Sequence, residues 1–317
     1  SIMRKIKKEG KSVIYISHKL DEIYTITDRV VILRDGEFIG AKPIDEIDVN
    51  QMIEMMVGRK VTDLFPKVRC EICDVKLEIQ NLSSGKEFQD ISFDVREGEI
   101  LGIAGLVGAG RTALIETIFG IRKKTAGHVF IDGQEVNIKS PADAIANGMA
   151  FLTEDRRLNG IFPMLSVKTN IIVANLNNLI NKSGLLNTKL VNMKSLEYIE
   201  AIQIKTPSQE QLVMNLSGGN QQKVLVGRWL MTEPEILFLD EPTRGIDVGT
   251  KSEIHRLISE LAGQGKSIVM VSSELPEILG MSDRVIVLCQ GKLTGVLENS
   301  EELTQEIVMQ YATNNMR

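Results

Sequence analysis

Short apolar runs alternate with amphipathic stretches along most of the chain. Six apolar or alternating runs predict strands, namely "VKLEIQNL", "GEILGIAG", "HVFIDGQEV" (a hairpin), "MAFLTED", "PEILFLDEP" and "KSIVMVSS". "RTALIETIFG" and "TKSEIHRLISELAGQG" have helical spacing, and a helical pattern fills the middle from about residue 166 to 203. Because strands and helices alternate, we predict an α/β fold with a mostly parallel core sheet and an inserted helical subdomain.

The beginning and the end of the chain carry the same pattern. Residues 11–40 and 266–295 align with a constant offset, which matches Asp28 to Asp283 and His18 to Ser273. In both copies a β-branched run leads into a short helix and then into a second strand with a turn after it. We therefore expect the end of one domain copy followed by a whole second copy.

The boundary between the copies lies in "KVTDLFPKVRCEICD", where a proline interrupts the periodicity. We expect the end of a first domain at 1–66, a linker at 67–74 and a complete second domain at 75–317. Cys70 and Cys73 form one C-x-x-C, which lacks the second pair or histidines that a zinc site needs. We interpret them as thiols of the linker.

Composition narrows the class of protein. The 317 residues are 43% hydrophobic with a net charge of −5, so no overall basic field draws the chain to nucleic acid. The longest apolar runs are far shorter than the roughly 20 residues that cross a bilayer. We expect a cytosolic protein that holds any polyanion locally, with no nucleic-acid partner.

"GLVGAGRT", residues 105–112, nearly matches the phosphate-binding loop G-x-x-x-x-G-K-[ST], with Arg111 at the lysine position. A buried strand precedes it and a helix follows, as that loop requires. Backbone N–H groups of Gly105, Gly108, Ala109 and Gly110 would hold phosphate, Arg111 would add charge and Thr112 would bind Mg²⁺. The alternative is a relic that binds nothing.

"ILFLDEP" is an apolar strand that ends in two carboxylates at the edge of the sheet where open α/β folds bind ligands. Asp240 can hold Mg²⁺, and Glu241 can orient and deprotonate an attacking water. The alternative is a pair of solvated acids at a strand end. Proximity to a phosphate loop favours the functional reading.

With "LSGGNQQK" (216–223) between these two motifs, the chain resembles the ATP-binding-cassette ATPases, whose signature is L-S-G-G-x-Q. "TEDRRLNGI", "DEPTRGIDVG" and "VSSELPEILGMSDR" further resemble the second half of the duplicated ATPase of bacterial monosaccharide importers of the ribose and galactoside type, the galactoside branch most closely. This resemblance implies a P-loop NTPase fold in which an antiparallel β subdomain accompanies the core sheet, and it implies ATP and Mg²⁺ as cofactors.

The resemblance also implies that cassettes work as a head-to-tail pair. Ser217, Gly218 and Gly219 would then clamp the γ-phosphate of ATP held by the other half, although Ser217 is also a good helix N-cap. His18 matches the switch histidine that contacts the γ-phosphate. Asp247 matches the loop that crosses between the halves.

Three positions of the second copy depart from the family pattern. Arg111 replaces lysine, Glu154 replaces the glutamine that senses Mg²⁺ and the permease, and Ser273 replaces the switch histidine. The resemblance therefore implies a degenerate site that binds nucleotide and hydrolyses little of it. Phe88 is the candidate to stack on adenine. We interpret His128 and His255 as structural.

From these features we expect the ATPase of a monosaccharide importer. Its partners would be an integral membrane sugar permease, docked near residues 154–172, indirectly a sugar-binding protein, and a first cassette that this chain lacks. It would lie at the cytoplasmic side of the inner membrane. A tandem cassette acting on ribosomes or DNA is a rival, but the long charged linker or coiled-coil insertion typical of that class does not occur here. The second rival function is a nucleotide-binding module that does not hydrolyse ATP and has a purely structural role.

Overall fold

A computed structural model describes residues 2–17, 20–34, 36–58, 65–68 and 70–314. The chain divides into two compact units. We call Ser1–Pro66 with Ile246–Glu253 the N-terminal unit, and Lys67–Gly245 with Ile254–Arg317 the C-terminal unit.

Among the described residues, the N-terminal unit contains an antiparallel strand pair and three complete α-helices. In chain order its elements are α1 (Ile2–Lys8), α2 (Leu20–Ile26), β1 (Arg29–Arg34), β2 (Glu37–Pro43) and α3 (Val49–Val57). A capping box between Asp48 and Gln51 starts α3, and Gly58 ends it with φ 83°. Its small core gathers Ile23, Val30, Ile32, Ile47 and Met52.

The strand expected over residues 11–17 is irregular in the structure. Ile14 and Ile16 are 92% and 93% exposed. The equivalent run in the second copy pairs with strands on both sides, whereas β1 and β2 pair with each other and neither pairs with residues 11–17. The prediction was wrong because a β-branched run forms a strand only where hydrogen-bonding neighbours are supplied.

Twelve strands in all lie among the described residues, ten of them in the C-terminal unit. In chain order these ten are β3 (Val75–Ser84), β4 (Phe88–Arg96), β5 (Ile100–Gly105), β6 (Ala126–Ile131), β7 (Gln134–Val136), β8 (Met149–Leu152), β9 (Ile236–Asp240), β10 (Ser267–Val271), β11 (Arg284–Cys289) and β12 (Lys292–Glu298). Six form a sheet of order β12-β11-β5-β10-β9-β8, which is parallel except for the antiparallel edge strand β12. The other four form an antiparallel sheet of order β4-β3-β6-β7.

Helices account for the remaining layers of this unit. They are α4 (Arg111–Ile118), α5 (Pro141–Ala146), α6 (Val167–Ile172), α7 (Thr188–Ala201), α8 (Gly218–Leu230), α9 (Val248–Gly263, which begins within the N-terminal unit), α10 (Leu275–Met281) and α11 (Gln305–Ala312). Between β8 and β9, α6 packs against α7 and α8 to form the inserted helical subdomain. The predicted fold class is confirmed: a mostly parallel core sheet, an antiparallel β part and a helical insertion.

Strands β9 and β10 are buried at every position. This explains their unbroken apolar sequences, because a parallel strand covered on both faces has no solvent side to keep polar. Parallel pairing of β5, β9 and β10 brings their carboxyl ends to one edge of the sheet. The polar residues that follow these three strands therefore meet there.

The sequence repeat is also a structural repeat. Helix α2 and strands β1 and β2 correspond, at the constant sequence offset, to α10, β11 and β12. Each hairpin carries a β-bulge, between Ile32 and Leu33 in one and between Val287 and Leu288 in the other. These are equivalent positions, so the two segments share backbone detail as well as sequence.

Candidate functional site

The glycine loop connects β5 to α4 as predicted. Gly110 precedes α4 with φ 97°, a conformation that favours glycine. A Cβ at Gly105 would lie 2.5 Å from the carbonyl oxygen of Leu288, so the first glycine allows the loop to pass close to β11. The first-turn amides of α4 have no acceptor within the helix, and the helix dipole places its positive end here. This arrangement can bind phosphate.

Arg111, at the lysine position, reaches across the site to the ends of two strands. Its Nη1 donates to the carbonyl oxygen of Ser272, just after β10, at 2.6 Å. Its Nη2 lies 3.8 Å from Oε1 of Glu241, just after β9. Both side chains are about nine-tenths buried, so solvent screens this ion pair weakly.

Asp240 ends β9 as a buried carboxylate that is 1% exposed. Neither of its oxygens accepts a hydrogen bond of normal distance and angle. Burial raises the pKa of Asp240 to about 7, although the nearby Thr112 hydroxyl opposes that rise. An unpartnered buried carboxylate beside a hydroxyl suits a hard cation, so these two residues fit Mg²⁺ as the family implies.

Glu241 has a strained backbone conformation, and each of its carboxylate oxygens lies near a polar side chain. Its φ of 50° lies in the left-handed region, which is rare for residues other than glycine and often marks functional sites. One carboxylate oxygen faces Arg111, and the other accepts a hydrogen bond from the Ser273 hydroxyl at 3.1 Å. Burial raises the pKa of Glu241, and the Ser273 bonds and the Arg111 charge oppose that rise.

Glu154 follows β8 and forms an ion pair with Arg244. Both side chains are largely exposed at the mouth of a cavity of about 390 Å³. The residues that line this cavity are Glu87, Val107, Gly108, Gly110, Arg111, Thr112, Ala113, Arg122, Glu154, Glu241, Arg244 and Ser273. The structure thus brings the glycine loop, Glu241 and all three substituted positions, Arg111, Glu154 and Ser273, into one cavity.

Two positively charged lining residues were missed by the sequence analysis. Arg244 and Arg122 add positive charge to the cavity. Arg244 stands in "DEPTRGID", where its position after the two carboxylates was a usable signal. Arg122 pairs with Glu116, six residues earlier, and with the more distant Glu87, and the sequence analysis found no motif that contains it.

Several predicted residues lie elsewhere or outside the described part. His18 lies outside the described residues. Asp247 lies in the N-terminal unit, and its carboxylate accepts hydrogen bonds from Thr250 N–H at 3.0 Å and from the Thr250 hydroxyl at 2.8 Å. Phe88 is 1% exposed in the hydrophobic core, so its ring cannot stack on adenine and that expectation was wrong.

The signature residues start α8. Ser217 is the N-cap, and its hydroxyl oxygen accepts from Asn220 N–H at 3.4 Å and from the Asn220 side chain at 3.0 Å. Gly218 and Gly219 form the first turn, and they do not line the cavity of the glycine loop. The signature therefore presents a second helix N-terminus, separate from that of α4.

The remaining histidine and cysteine residues considered in the sequence analysis belong to no functional site among the described residues. His255 is buried against Glu277, with 2.6 Å between Nε2 and Oε1. Cys70 and Cys73 are free thiols, and Cys70 donates to the carbonyl oxygen of Gly98. Among described residues no group of three or more His, Cys, Asp or Glu side chains is arranged to hold a metal, and no helix there is long and apolar enough to cross a membrane.

Comparisons with known proteins agree with this geometry. The family model for ABC transporter matches residues 88–244. The chain is 51% identical over 315 residues to a putative ribose/galactose/methyl galactoside import ATP-binding protein of Geobacillus kaustophilus, covering 99% of the chain and 62% of that protein. It is 50% identical over 316 residues to a galactose/methyl galactoside import ATP-binding protein of Clostridium tetani, covering 99% and 62%. A ribose import ATP-binding protein of Clostridium tetani is 47% identical over 311 residues, covering 98% and 61%.

Solved structures confirm the fold. A nucleotide-free ATP-binding cassette from an ABC transporter superposes with a TM-score of 0.64 at 22% identity, covering 75% of this chain and 96% of the other. A cassette in its ADP conformation gives 0.62 at 23% identity, covering 76% and 95%. The chain spans about three-fifths of the length of the curated relatives it matches.

Proposed function

The chain contains an ATPase domain of the ABC transporter family, and on this premise we propose that it belongs to the ATPase that powers import of a monosaccharide through a membrane permease. The observation that carries the proposal is a cavity lined by the glycine loop and by the base-type carboxylate Glu241. The metal-type carboxylate Asp240 lies buried beside the lining residue Thr112. The curated relatives at about 50% identity are named for ribose, galactose and methyl galactoside import, which supports a sugar as the transported substrate.

In this proposal the loop and α4 bind the nucleotide. Amides of Gly108, Ala109 and Gly110 hold phosphate oxygens at the positive end of the helix dipole. Thr112 and Asp240 hold Mg²⁺, which when bound neutralises phosphate charge and orients the terminal phosphate. Glu241 is placed to accept the proton of an attacking water.

We further propose that this site turns over little ATP. Arg111 lies beside one oxygen of Glu241 and the Ser273 hydroxyl donates to the other, and both contacts favour the unprotonated carboxylate, so they weaken Glu241 as a base toward an attacking water. A lysine would be shorter and would lack the planar fork that reaches both Glu241 and the Ser272 carbonyl. The site is suited to bind nucleotide and to regulate closure.

We propose that residues 1–66 are the end of a first cassette, 67–74 a linker and 75–317 the second cassette. The support is the shared bulge and the equivalent elements of the two segments. Ser217, Gly218 and Gly219 would then act on ATP held by the first cassette, together with its switch residue His18, while Asp247 would lie where the two cassettes meet.

The proposed docking surface for the permease is the segment 154–172. Leu158, Phe162 and Met164 are 81%, 45% and 67% exposed there. An exposed apolar group of this kind fits a partner helix or loop. The complex would sit at the cytoplasmic side of the inner membrane and would receive sugar from a separate binding protein.

Reconstitution of the full transporter tests this function and the assignment of the two sites. ATPase activity should rise with the permease and the sugar-loaded binding protein, and Ser217→Arg should reduce it more than Arg111→Ala, because Ser217 serves the active site. A greater loss from Arg111→Ala would reverse the site assignment. Activity that responds to ribosomes or DNA instead would support the rival tandem class. Tight ATP binding without turnover in the complete complex would support the structural module.

A further inference from the structure

Arg156 is a buried cation with too few partners. It begins the one-turn helix Arg156–Gly160 after β8, and only 9% of the residue is exposed. Its Nη1 reaches Oε1 of Gln222 at 3.4 Å, the long end of the hydrogen-bond range, and its buried Nε has no partner. No ion pair joins it to a carboxylate among the described residues. The neighbouring Asp155 accepts hydrogen bonds from backbone N–H groups instead.

Arg228 shows how this protein satisfies a buried arginine. Its guanidinium donates to the carbonyl oxygens of Asn170 and Gly160 and to the Asn170 side chain, at 2.6 to 2.9 Å. It also lies 5.2 Å from the centre of the Phe162 ring. A guanidinium cannot lose its proton to escape burial, so each donor needs an acceptor. Arg156 lacks the acceptors that Arg228 has.

The guanidinium of Arg156 points to the N-terminus of α8. Its Nη2 lies 3.0 Å from the position a Cβ would take at Gly218. Helix α8 has 13 residues, and its first-turn amides at Gly218 and Gly219 have no acceptor inside the helix. The dipole places positive potential at this end, so a cation here is unfavourable unless an anion is also present.

We propose that Arg156 is a further phosphate-binding residue, and that its guanidinium and the amides of Gly218 and Gly219 together hold one phosphate group. A phosphate would accept from both the fork and the helix amides, and its charge would offset two positive groups that otherwise repel each other. The inference rests on the proposed function and deepens it. It adds to the signature site a side chain, Arg156, that lies outside the L-S-G-G-x-Q motif.

Glycine-selective ¹⁵N labelling of this chain allows a direct test. Inorganic phosphate is added while chloride is reduced, so that the ionic strength stays constant, and the amide resonances of Gly218 and Gly219 are followed. The resonances of Gly108 and Gly110 in the same spectrum show whether phosphate binds to the glycine loop. We expect saturable shifts at Gly218 and Gly219 in the wild type. Arg156→Gln should weaken this binding about tenfold or more, because a charge-assisted hydrogen bond is lost.

Matched variants separate the proposed role from a structural one. Arg157→Gln removes the same charge from the exposed neighbour and should leave the shifts unchanged, while Arg156→Lys should retain most of the binding. The remaining glycine resonances show whether each variant is folded. A second titration with ATP distinguishes nucleotide from free phosphate as the source of the group.

Phosphate shifts confined to Gly108 and Gly110, or equal affinity in wild type and Arg156→Gln, would overturn the inference. If Arg156→Gln unfolds the chain, the folded Arg156→Lys variant decides: retention of most of the phosphate affinity supports the inference, and loss of that affinity overturns it. A negative phosphate titration would leave the permease-stimulated ATPase activity intact. A negative ATPase assay would leave the phosphate titration unaffected, so the two proposals fail separately.

Discussion

At the scale of single residues, three substitutions bear on what the proposed nucleotide site can do. Arg111 brings a planar fork where a lysine would bring a compact charge, and the fork contacts the Ser272 carbonyl and Glu241 at once. Ser273 bonds the other oxygen of Glu241, and Glu154 pairs with Arg244 at the cavity mouth. Under the proposed function these three substitutions affect one group of residues, so we expect that their effects on turnover are not additive.

Restoring the lysine alone should therefore change turnover little. In the full protein, with the first site disabled, we expect Arg111→Lys to raise the ATPase rate less than about threefold, and the triple variant with Glu154→Gln and Ser273→His to raise it about tenfold or more. Phosphate release measures both. A large gain from Arg111→Lys alone would mean that Ser273 and Glu154 are not defects.

Asp240 should make the metal-free chain less stable as pH rises. Its folded pKa of about 7 lies above the ordinary value of 3.8, so the carboxyl is neutral in the folded chain at low pH and costs free energy once ionised. Asp240→Asn removes that cost. We expect its unfolding free energy to match that of the wild type near pH 4 and to exceed it by roughly 2–4 kcal/mol at pH 8.

Urea unfolding in the presence of a chelator measures this difference. Added Mg²⁺ should stabilise the wild type and not the variant, because the ionised carboxylate is the ligand. A stability difference that is the same at both pH values would show that Asp240 is not the titrating group.

At the scale of elements, a buried hydrogen-bond group ties α9 and α10 to the segment after β9. The Glu277 carboxylate on α10 contacts His255 on α9 and accepts from the Thr243 hydroxyl at 2.7 Å. Burial raises the pKa of Glu277, but hydrogen bonds from His255, Ser272 and Thr243 outweigh it and lower the pKa overall. The group fixes the elements that carry Glu241 and Ser273.

Removing the histidine should therefore destabilise the chain strongly. His255→Ala leaves the Glu277 carboxylate buried with fewer partners, and we expect a loss of roughly 3–5 kcal/mol in the free energy of unfolding at pH 7. Because the Glu277 pKa is lowered, this stabilisation is present above pH of about 4.5 and is lost as pH falls through the folded pKa, so the loss should shrink in acid.

His128→Ala is the matched control, because His128 pairs with Glu135 on an exposed hairpin and its removal should have little effect. Equal losses from the two substitutions would refute a special role for the buried group.

At the scale of the whole molecule, the helical insertion supplies a surface that the core sheet lacks. The segment from Glu154 to Ile172 begins at the nucleotide cavity, at Glu154, and continues through exposed apolar residues to α6. A partner seated on it would contact the nucleotide site through one short stretch of chain. In the proposed function, this stretch would couple ATP binding to the permease.

Crosslinking tests this surface. After Cys70, Cys73 and Cys289 are replaced with serine, a single cysteine at Leu158 should capture cytoplasmic loops of the permease, because Leu158 is exposed. A cysteine at Val296, which is 52% exposed on the edge strand β12, is the control and should capture little. Capture from Val296 alone would place the docking surface elsewhere.

The sequence by itself determined the elements and the motifs. The unbroken apolar runs of β9 and β10 identified buried strands, and the spacing of "GLVGAGRT" placed the loop between a strand and a helix. The internal repeat located equivalent hairpins to the residue. These features depend on a residue's own neighbours, since periodicity and turn chemistry are local.

Tertiary structure decided what depends on contacts between distant segments. Arg111 meets Glu241 only because parallel strands bring their ends together, and Phe88 lies in the core because β4 packs there. Residues 11–17 have the same sequence pattern as β10 but lack its neighbouring strands, and they form no strand. A strand needs hydrogen bonds from neighbouring strands, and the local sequence cannot provide them. The unsatisfied guanidinium of Arg156 likewise becomes visible only when every potential partner has a position.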